Sequence, residues 1–327
     1  MAEAVDSEKT LGIRSEPRLP LHTFPPPMII PPLKQPHQQT IILLHGRGSS
    51  AKIFAPELLS VPLNNSTTSP GLNTCTFRDL LPHTRFVFPT APRSRATIYR
   101  RAIINQWYDG SGDWEDTRLG HAKETVLFIH SLLEDEAIRL GGTDKLVLGG
   151  FSQGCAAALV CLLLWRGTPL GGILGMCGML PMADVMAEAM AEGDYRLGGR
   201  YDEAPEGSDD DPFEHSDGDS TTSREGNRSE HDPVERALRI LGDEIDITVA
   251  ELATRPSFLE TPVFLGHGTV DDNVPVRYGQ EAARVLRAMG YEVDFKTYDG
   301  LDHCYSKDML KDMIGFLGDI APRSRWS

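Results

Sequence analysis

The 327-residue sequence lacks an excess of basic side chains, because 32 Lys and Arg stand against 47 Asp and Glu, a formal net charge of −15. Nucleic acids and anionic membrane surfaces are negatively charged and would repel such a chain. Long apolar runs are also scarce. The longest, Cys155–Trp165, spans 11 residues, whereas a membrane span needs about 20. We therefore expect no nucleic-acid partner and no stable membrane insertion.

Cysteines are few, and their spacing suggests no pairing. The five of them are scattered at positions 75, 155, 161, 177 and 304, without a Cys-x-x-Cys pair. The first residues lack the charged start and apolar stretch of a secretory signal. This usage is typical of reduced thiols, so we expect a cytoplasmic protein. The sequence also lacks His-Glu-x-x-His and clustered Cys/His ligands, and we expect neither a metal nor another cofactor.

Negative charge is concentrated in one stretch of the chain. Residues 201–236 contain 13 Asp or Glu against three Arg, a net charge of −10 out of −15. With so few apolar side chains, this stretch cannot bury enough surface to offset the entropy lost on ordering. The composition predicts a disordered acidic insertion at about 193–236 with short helical flanks. The alternative is a phosphorylated or partner-binding switch.

Prolines set the N-terminal part apart from the rest. Eight prolines lie between positions 17 and 36, and proline can neither continue a helix nor occupy a central strand. We therefore predict a flexible leader over residues 1–38, followed by a domain over residues 39–327.

The predicted domain alternates strand-like and helix-like segments. Short β-branched, apolar runs bounded by Gly or Pro are typical of strands buried on both faces. Six such runs are TIILLHG, RFVFP, KLVLGG, GILGM, PVFLGHG and VDFKTY. Between them, apolar residues recur at helical spacing, as in Val126, Ile129, Leu133 and Ala137 or in Tyr278, Ala282, Val285 and Met289. The pattern predicts an α/β fold with a mostly parallel central sheet and helices on both faces.

One serine, Ser152, lies in a Gly-x-Ser-x-Gly pattern between a predicted strand and a predicted helix. In a nucleophile elbow the serine occupies a strained strand-to-helix turn, and the flanking glycines let strand and helix pack closely. Gly150 and Gly154 occupy those two positions. The alternative is a small polar residue at a turn, so the remaining catalytic groups decide between the two readings.

A nucleophilic serine requires a base and an acid that orients the base. His303 follows the predicted strand VDFKTY and is expected at the carboxyl edge of the sheet, where catalytic groups gather. His267 also ends a strand, but its HG sequence is more typical of a tight turn. Asp271 or Asp272, in the loop after PVFLGHG, could supply the acid, and the order Ser, Asp, His is that of α/β-hydrolases.

Two backbone N–H groups are needed for the oxyanion that forms during acyl transfer. One is expected from Gln153, directly after the serine, and the other from an early strand-to-helix loop. The sequence LLHGRGSS supplies such a loop. Within it, we expect His45 to have a structural role.

Seven motifs together resemble the phospholipase/carboxylesterase family of α/β-hydrolases, which includes the acyl-protein thioesterases. They are LHGRG, FPTAP, QWYD, LGGFSQG, CGMLP, HGTVDDNVP and FKTYDGLDH, between about residues 39 and 316. The resemblance implies Ser152 as nucleophile, Asp271 as triad aspartate and His303 as base. It also implies that the backbone amides of Arg47 and Gln153 form the oxyanion hole.

The resemblance implies hydrolysis of fatty-acyl thioesters on S-acylated protein cysteines. The alternative is a carboxylesterase or lysophospholipase acting on oxyesters of small molecules or lipids. A second class, a non-catalytic binding protein on a hydrolase fold, would need the triad to be inactive. Ile103, Ile104 and Trp107 are candidates for an acyl-binding groove, with ordinary core packing as the alternative.

Overall fold

The structure, a computed structural model, describes residues 21–63, 75–110, 119–198, 232–248 and 257–320. These residues form nine strands: β1 (Met28–Ile30), β2 (Gln39–Leu44), β3 (Thr84–Phe88), β4 (Arg93–Ala96), β5 (Ala102–Asn105), β6 (Leu146–Phe151), β7 (Gly172–Met176), β8 (Val263–Gly268) and β9 (Val293–Tyr298). The same residues form eight α-helices: α1 (Ala51–Leu59), α2 (Phe77–Leu80), α3 (Ala122–Leu140), α4 (Gln153–Leu163), α5 (Ala183–Gly198), α6 (Pro233–Glu244), α7 (Val276–Met289) and α8 (Lys307–Ile320).

Seven of the described strands form one sheet in the order β1-β3-β2-β6-β7-β8-β9. All neighbouring pairs are parallel except β1 with β3. The carboxyl ends of β2, β6, β8 and β9 therefore meet at the same edge of the sheet, where the loops that follow them can converge. The predicted fold class, a mostly parallel sheet with helices around it, is confirmed.

Helices cover both faces of the sheet, which explains why its strands are apolar without alternation. Within β2, Ile42 and Leu44 pack on the side of α3, α4 and α7, whereas Ile41 and Leu43 pack on the side of α1 and α8. The long apolar run that begins at Cys155 belongs to α4, in which every residue is buried. No helix in the described ranges is both long and apolar enough to cross a membrane.

The structure shortens the predicted leader. Met28–Ile30 forms β1, which pairs with β3 at the edge of the sheet. An edge strand of three residues fits between Pro27 and Pro31, because proline is tolerated where the ladder has no further partner. The sheet thus extends into the range 1–38, while residues 1–20 lie outside the described residues.

The predicted acidic insertion is also shorter than expected at both ends. Helix α5 continues to Gly198, and α6 begins at Pro233. Asp232 caps α6, since its side chain accepts a hydrogen bond from the Val234 N–H at 2.9 Å, and proline suits the first turn of a helix. The Asp-Pro start signal explains why composition alone placed this boundary too late. The predicted disorder over residues 199–231 lies outside the described residues.

Candidate active site

Ser152 lies at the sharp turn between β6 and α4. Its φ of 56° and ψ of −123° place it in a left-handed region that costs a non-glycine residue roughly 1–3 kcal/mol. Glycines on either side make the turn possible. A Cβ on Gly150 would lie 2.4 Å from the Gly154 carbonyl carbon, and one on Gly154 would lie 2.2 Å from the Leu44 carbonyl oxygen. The turn therefore has the backbone geometry and the close glycine packing that are typical of a nucleophile elbow.

Ser152, His303 and Asp271 form one continuous hydrogen-bonded chain. The Ser152 Oγ lies 2.9 Å from His303 Nε2, and His303 Nδ1 lies 2.8 Å from Asp271 Oδ2. A carboxylate can only accept, so His303 Nδ1 carries a proton and Nε2 is left to accept one from the serine. The loops after β6, β8 and β9 each contribute one of the three side chains.

The carboxyl group of Asp271 is fixed in its ionised form. Oδ1 accepts hydrogen bonds from the backbone N–H groups of Asn273 at 3.0 Å and Val274 at 2.7 Å. Burial alone would raise the pKa of this carboxyl, but hydrogen bonds from two histidine rings and the loop amide outweigh burial and hold the pKa well below its usual value. Among the described residues, Asp272 makes no such contact and is exposed to solvent.

The loop after β2 brings Arg47 close to the elbow, and Arg47 and Gln153 line one cleft with Ser152 and His303. Hydrogen bonds hold this loop in place. The Gly48 N–H donates to the Asn105 carbonyl at 2.8 Å, and the Asn105 side-chain amide donates to the Ser49 carbonyl at 2.8 Å. These hydrogen bonds fix the position of the loop beside the cleft.

His45 supports the same loop from below. Its Nδ1 donates to the Gly46 carbonyl at 2.7 Å, and its Nε2 accepts from the Ala91 N–H at 3.0 Å. Burial lowers the pKa of His45 to about 4, so the ring is neutral near pH 7. This environment fits the structural role that the sequence suggested for His45.

The cleft above Ser152 encloses about 370 Å³, within the range of roughly 300–1,000 Å³ that is typical of small-molecule sites. Part of its wall is aromatic: the ring centroids of Phe54 and Tyr305 are 6.2 Å apart, and those of Phe151 and Tyr305 are 5.7 Å apart. Further apolar lining comes from Ile98 and Tyr99, in a 3₁₀ turn between β4 and β5. The serine thus lies in a cleft whose wall is polar in part and apolar or aromatic in part.

A profile of the phospholipase/carboxylesterase family matches residues 27–194 and 246–320, which together are more than half of the chain. The chain belongs to the phospholipase/carboxylesterase family. The interruption between 194 and 246 includes the predicted acidic insertion and α6. As a member of this family, the protein is a hydrolase of the serine esterase type.

Known relatives of this phospholipase/carboxylesterase family member agree with the assignment. Acyl-protein thioesterase 1 of Candida albicans is 23% identical over 290 residues, covering 86% of this chain and 92% of that protein. Acyl-protein thioesterase 1 of Yarrowia lipolytica is 24% identical over 301 residues, covering 90% and 96%. The crystal structure of Zea mays acyl-protein thioesterase 2 superposes with a TM-score of 0.57 at 20% identity, covering 90% and 98%, which supports the shared α/β-hydrolase fold.

The three predicted acyl-binding residues do not line the cleft. Trp107 is completely buried, and its indole N–H donates to the His45 carbonyl at 2.7 Å. Ile103 and Ile104 lie on β5, where they pair with β4 in an antiparallel ribbon. The sequence reasoning used only closeness to QWYD, which does not determine the direction of a side chain. The apolar lining comes instead from neighbouring positions in the turn, Ile98 and Tyr99.

Two roles in this hydrolase were missed by the sequence analysis. The Gln153 side chain accepts from the Trp107 N–H at 3.1 Å and donates to the Tyr108 carbonyl at 2.8 Å, so it ties the elbow to the QWYD segment. The second is His267, whose Nε2 lies 3.4 Å from Asp271 Oδ2. The HG sequence indicated a turn, but both residues belong to β8 and end that strand.

The buried thiols of Cys155 and Cys177 are poor competing nucleophiles in this esterase. All five cysteines are free. Burial raises the pKa of Cys155 and of Cys177 to about 12, so both are protonated near pH 7 and react slowly. Within the described part of the chain, no three His, Cys, Asp or Glu side chains converge as a metal site would require.

Proposed function

We propose that this hydrolase cleaves fatty-acyl thioesters from S-acylated protein cysteines, with Ser152 as nucleophile, His303 as base and Asp271 as the orienting acid. The observation that carries the proposal is the continuous hydrogen-bonded chain from Ser152 Oγ through His303 to a buried, ionised Asp271. That chain ends at the floor of an open cleft with an aromatic wall.

The chemistry follows from the tautomer of His303. Nε2 takes the hydroxyl proton as Ser152 Oγ attacks the acyl carbonyl, and Asp271 stabilises the imidazolium that forms. The backbone amides of Arg47 and Gln153 are proposed to stabilise the oxyanion. Collapse of the tetrahedral intermediate expels the thiolate, which takes the proton from His303. Water, deprotonated in turn by His303, then hydrolyses the acyl-enzyme.

The substrate class is supported by the cleft and by the relatives. Apolar and aromatic lining suits a fatty-acyl chain, and a cleft open to solvent leaves room for a leaving group as large as a protein. The two fungal relatives are named acyl-protein thioesterases. Five free thiols support work in a reducing compartment, the cytoplasm.

Oxyester hydrolysis is the second candidate function. An elbow serine handles thioesters and oxyesters alike, so selectivity must come from contacts with the acyl chain and the leaving group. The crystal structure of esterase PE8 is similar in fold, with a TM-score of 0.56 at 21% identity over 90% of this chain and 98% of that one.

A substrate comparison tests the proposal. We expect kcat/KM to be higher for an S-palmitoylated peptide than for lysophospholipid, and to rise as the chain of a p-nitrophenyl ester is lengthened beyond acetate. Ser152→Ala should abolish all of these activities together with labelling by a fluorophosphonate. A strict preference for acetyl esters, without activity on acylated peptides, would support the carboxylesterase alternative instead.

A further inference from the structure

A second histidine lies directly beneath the proposed triad. His267, near the end of β8, is 1% exposed, and its Nε2 is 2.7 Å from the Val274 carbonyl oxygen. The same nitrogen is 3.4 Å from Asp271 Oδ2. A carbonyl oxygen can only accept a hydrogen bond, so Nε2 carries a proton. That proton points between the loop backbone and the carboxylate of Asp271.

The imidazole of His267 is confined on its opposite edge as well. A Cβ added to Gly279, in the first half of α7, would lie 2.4 Å from His267 Nδ1. The ring therefore fills the space between the end of β8 and α7, and it cannot tilt away from Asp271 without moving the helix. A small residue at position 279 is what lets the ring lie this deep.

Both carboxylate oxygens of Asp271 are held by hydrogen-bond donors, and His267 adds a second donor beside Oδ2. Backbone amides of the loop hold Oδ1, whereas Oδ2 faces His303 at 2.8 Å and His267 at 3.4 Å. Val274 links the two sides, because its N–H donates to Oδ1 and its carbonyl accepts from His267. The histidine thus holds the loop that carries the aspartate and touches the aspartate itself.

We propose that His267 is a positioning residue that acts through Asp271, an inference that rests on the proposed role of Asp271 in the triad. His267 is not an alternative base, because its Nε2 proton is already committed to Val274 and it does not line the cleft. Its contribution is to aim Oδ2 at His303 and to keep the carboxylate from turning within its pocket.

Variants at position 267 distinguish the effect of losing the N–H donor from the effect of losing the volume of the imidazole ring. His267→Leu removes the N–H, whereas His267→Gln can place an amide N–H near the position of Nε2. In metal sites, losing an outer-shell hydrogen bond that orients a ligand typically costs about 10–100-fold in activity, and we expect a similar factor for a bond that orients Asp271. We expect kcat on a p-nitrophenyl ester to fall by about that factor in the Leu variant with KM little changed, and to recover to within about fivefold in the Gln variant. If the Leu variant does not fold, His267→Asn, whose shorter side chain cannot reach Asp271, takes its place.

The chain offers a matched control in His130, whose Nε2 also donates to a backbone carbonyl, that of Cys161 at 2.8 Å. His130→Leu removes the same kind of hydrogen bond between α3 and α4, away from the cleft. We expect kcat to stay within about twofold of wild type even where the melting temperature falls. An equal loss of kcat in both variants would show that His267 acts only through stability.

A double-mutant cycle with Asp271→Asn decides whether the effect passes through the aspartate. If it does, adding His267→Leu to Asp271→Asn should lower the residual kcat by less than about threefold. An equal fold loss in both backgrounds would overturn the inference. The cycle uses simple esters, so a failure of the proposed thioester substrate would leave it intact. If Asp271→Asn alone kept wild-type turnover, the proposed triad would fail, and the inference with it.

Discussion

Replacing Asp271 by Asn should disable this enzyme by changing the tautomer of His303. Two loop amides donate to Oδ1 of Asp271, so an asparagine must place its carbonyl oxygen there and its NH₂ at the position of Oδ2. That NH₂ then faces His303 Nδ1, which is 2.8 Å from Oδ2 in the native site. Two donors cannot pair, and His303 must move its proton to Nε2, where it can no longer accept one from Ser152.

We expect a large loss of kcat because His303 can no longer accept the proton of Ser152, whereas the fold should be retained. In a serine protease triad, the same isosteric change lowers kcat by roughly 10⁴-fold through the wrong tautomer. At about 1.4 kcal/mol per factor of ten, this corresponds to about 5.5 kcal/mol of lost transition-state stabilisation. Asp272→Asn is the matched control: Asp272 is the next residue in the chain but is exposed, and we expect its kcat within about twofold of wild type.

Steady-state hydrolysis of a p-nitrophenyl ester measures both variants, and circular dichroism melting checks that they are folded. A loss of less than tenfold in folded Asp271→Asn would refute the tautomer argument. Comparable losses of kcat in the two variants would show that Asp271 is not the sole aspartate that acts on His303, contrary to the position of this loop in the structure.

Three further predictions concern stability and selectivity. Gly154→Ala should unfold at much lower urea concentration than wild type, because its Cβ would lie 2.2 Å from the Leu44 carbonyl oxygen; an unchanged urea midpoint would contradict the packing at the elbow. Trp107→Phe should cost about 1–3 kcal/mol in free energy of unfolding, because the buried His45 carbonyl loses its donor, yet the chain-length preference on p-nitrophenyl esters should not change. The pKa of Asp271 is depressed in the folded state, so the stability it contributes is present above the unfolded pKa of about 4 and is lost as the pH falls towards the folded value. In urea titrations, the gap in free energy of unfolding between wild type and Asp271→Asn should therefore narrow below about pH 4, and a gap that widens would contradict this sign.

The hydrogen-bonded arrangement of Ser152, His303 and Asp271 was predictable because each of these residues follows a strand of a parallel sheet. Ser152, Asp271 and His303 come after β6, β8 and β9, and the carboxyl ends of parallel strands share one edge. A reader of the sequence needs only the strand positions to bring these three loops together. Choosing Asp271 over Asp272 needed the family resemblance, because adjacent residues in a loop carry no periodicity that separates them.

The contact between His267 and Asp271 was not predictable by the same rule. The contact depends on how far β8 extends. The sequence HG is compatible either with the last residues of a strand or with the loop that follows it. The acyl-groove prediction failed for a related reason. Which face of the β4–β5 ribbon a side chain occupies depends on tertiary packing, and AIIN, whose apolar residues are adjacent, does not show the alternation that would identify a buried face.

Ser152 and its proposed base, His303, are separated by 151 positions along the chain, and this distance has a consequence for biosynthesis. During translation at roughly 5–20 residues per second, a growing chain completes β6 and α4 well before β9 has been made. His303 is therefore synthesised many seconds after the strained turn at Ser152. An activity-based probe on stalled nascent chains should consequently label Ser152 only after β9 has docked, because a chain that ends before residue 303 has the proposed nucleophile but lacks the proposed base.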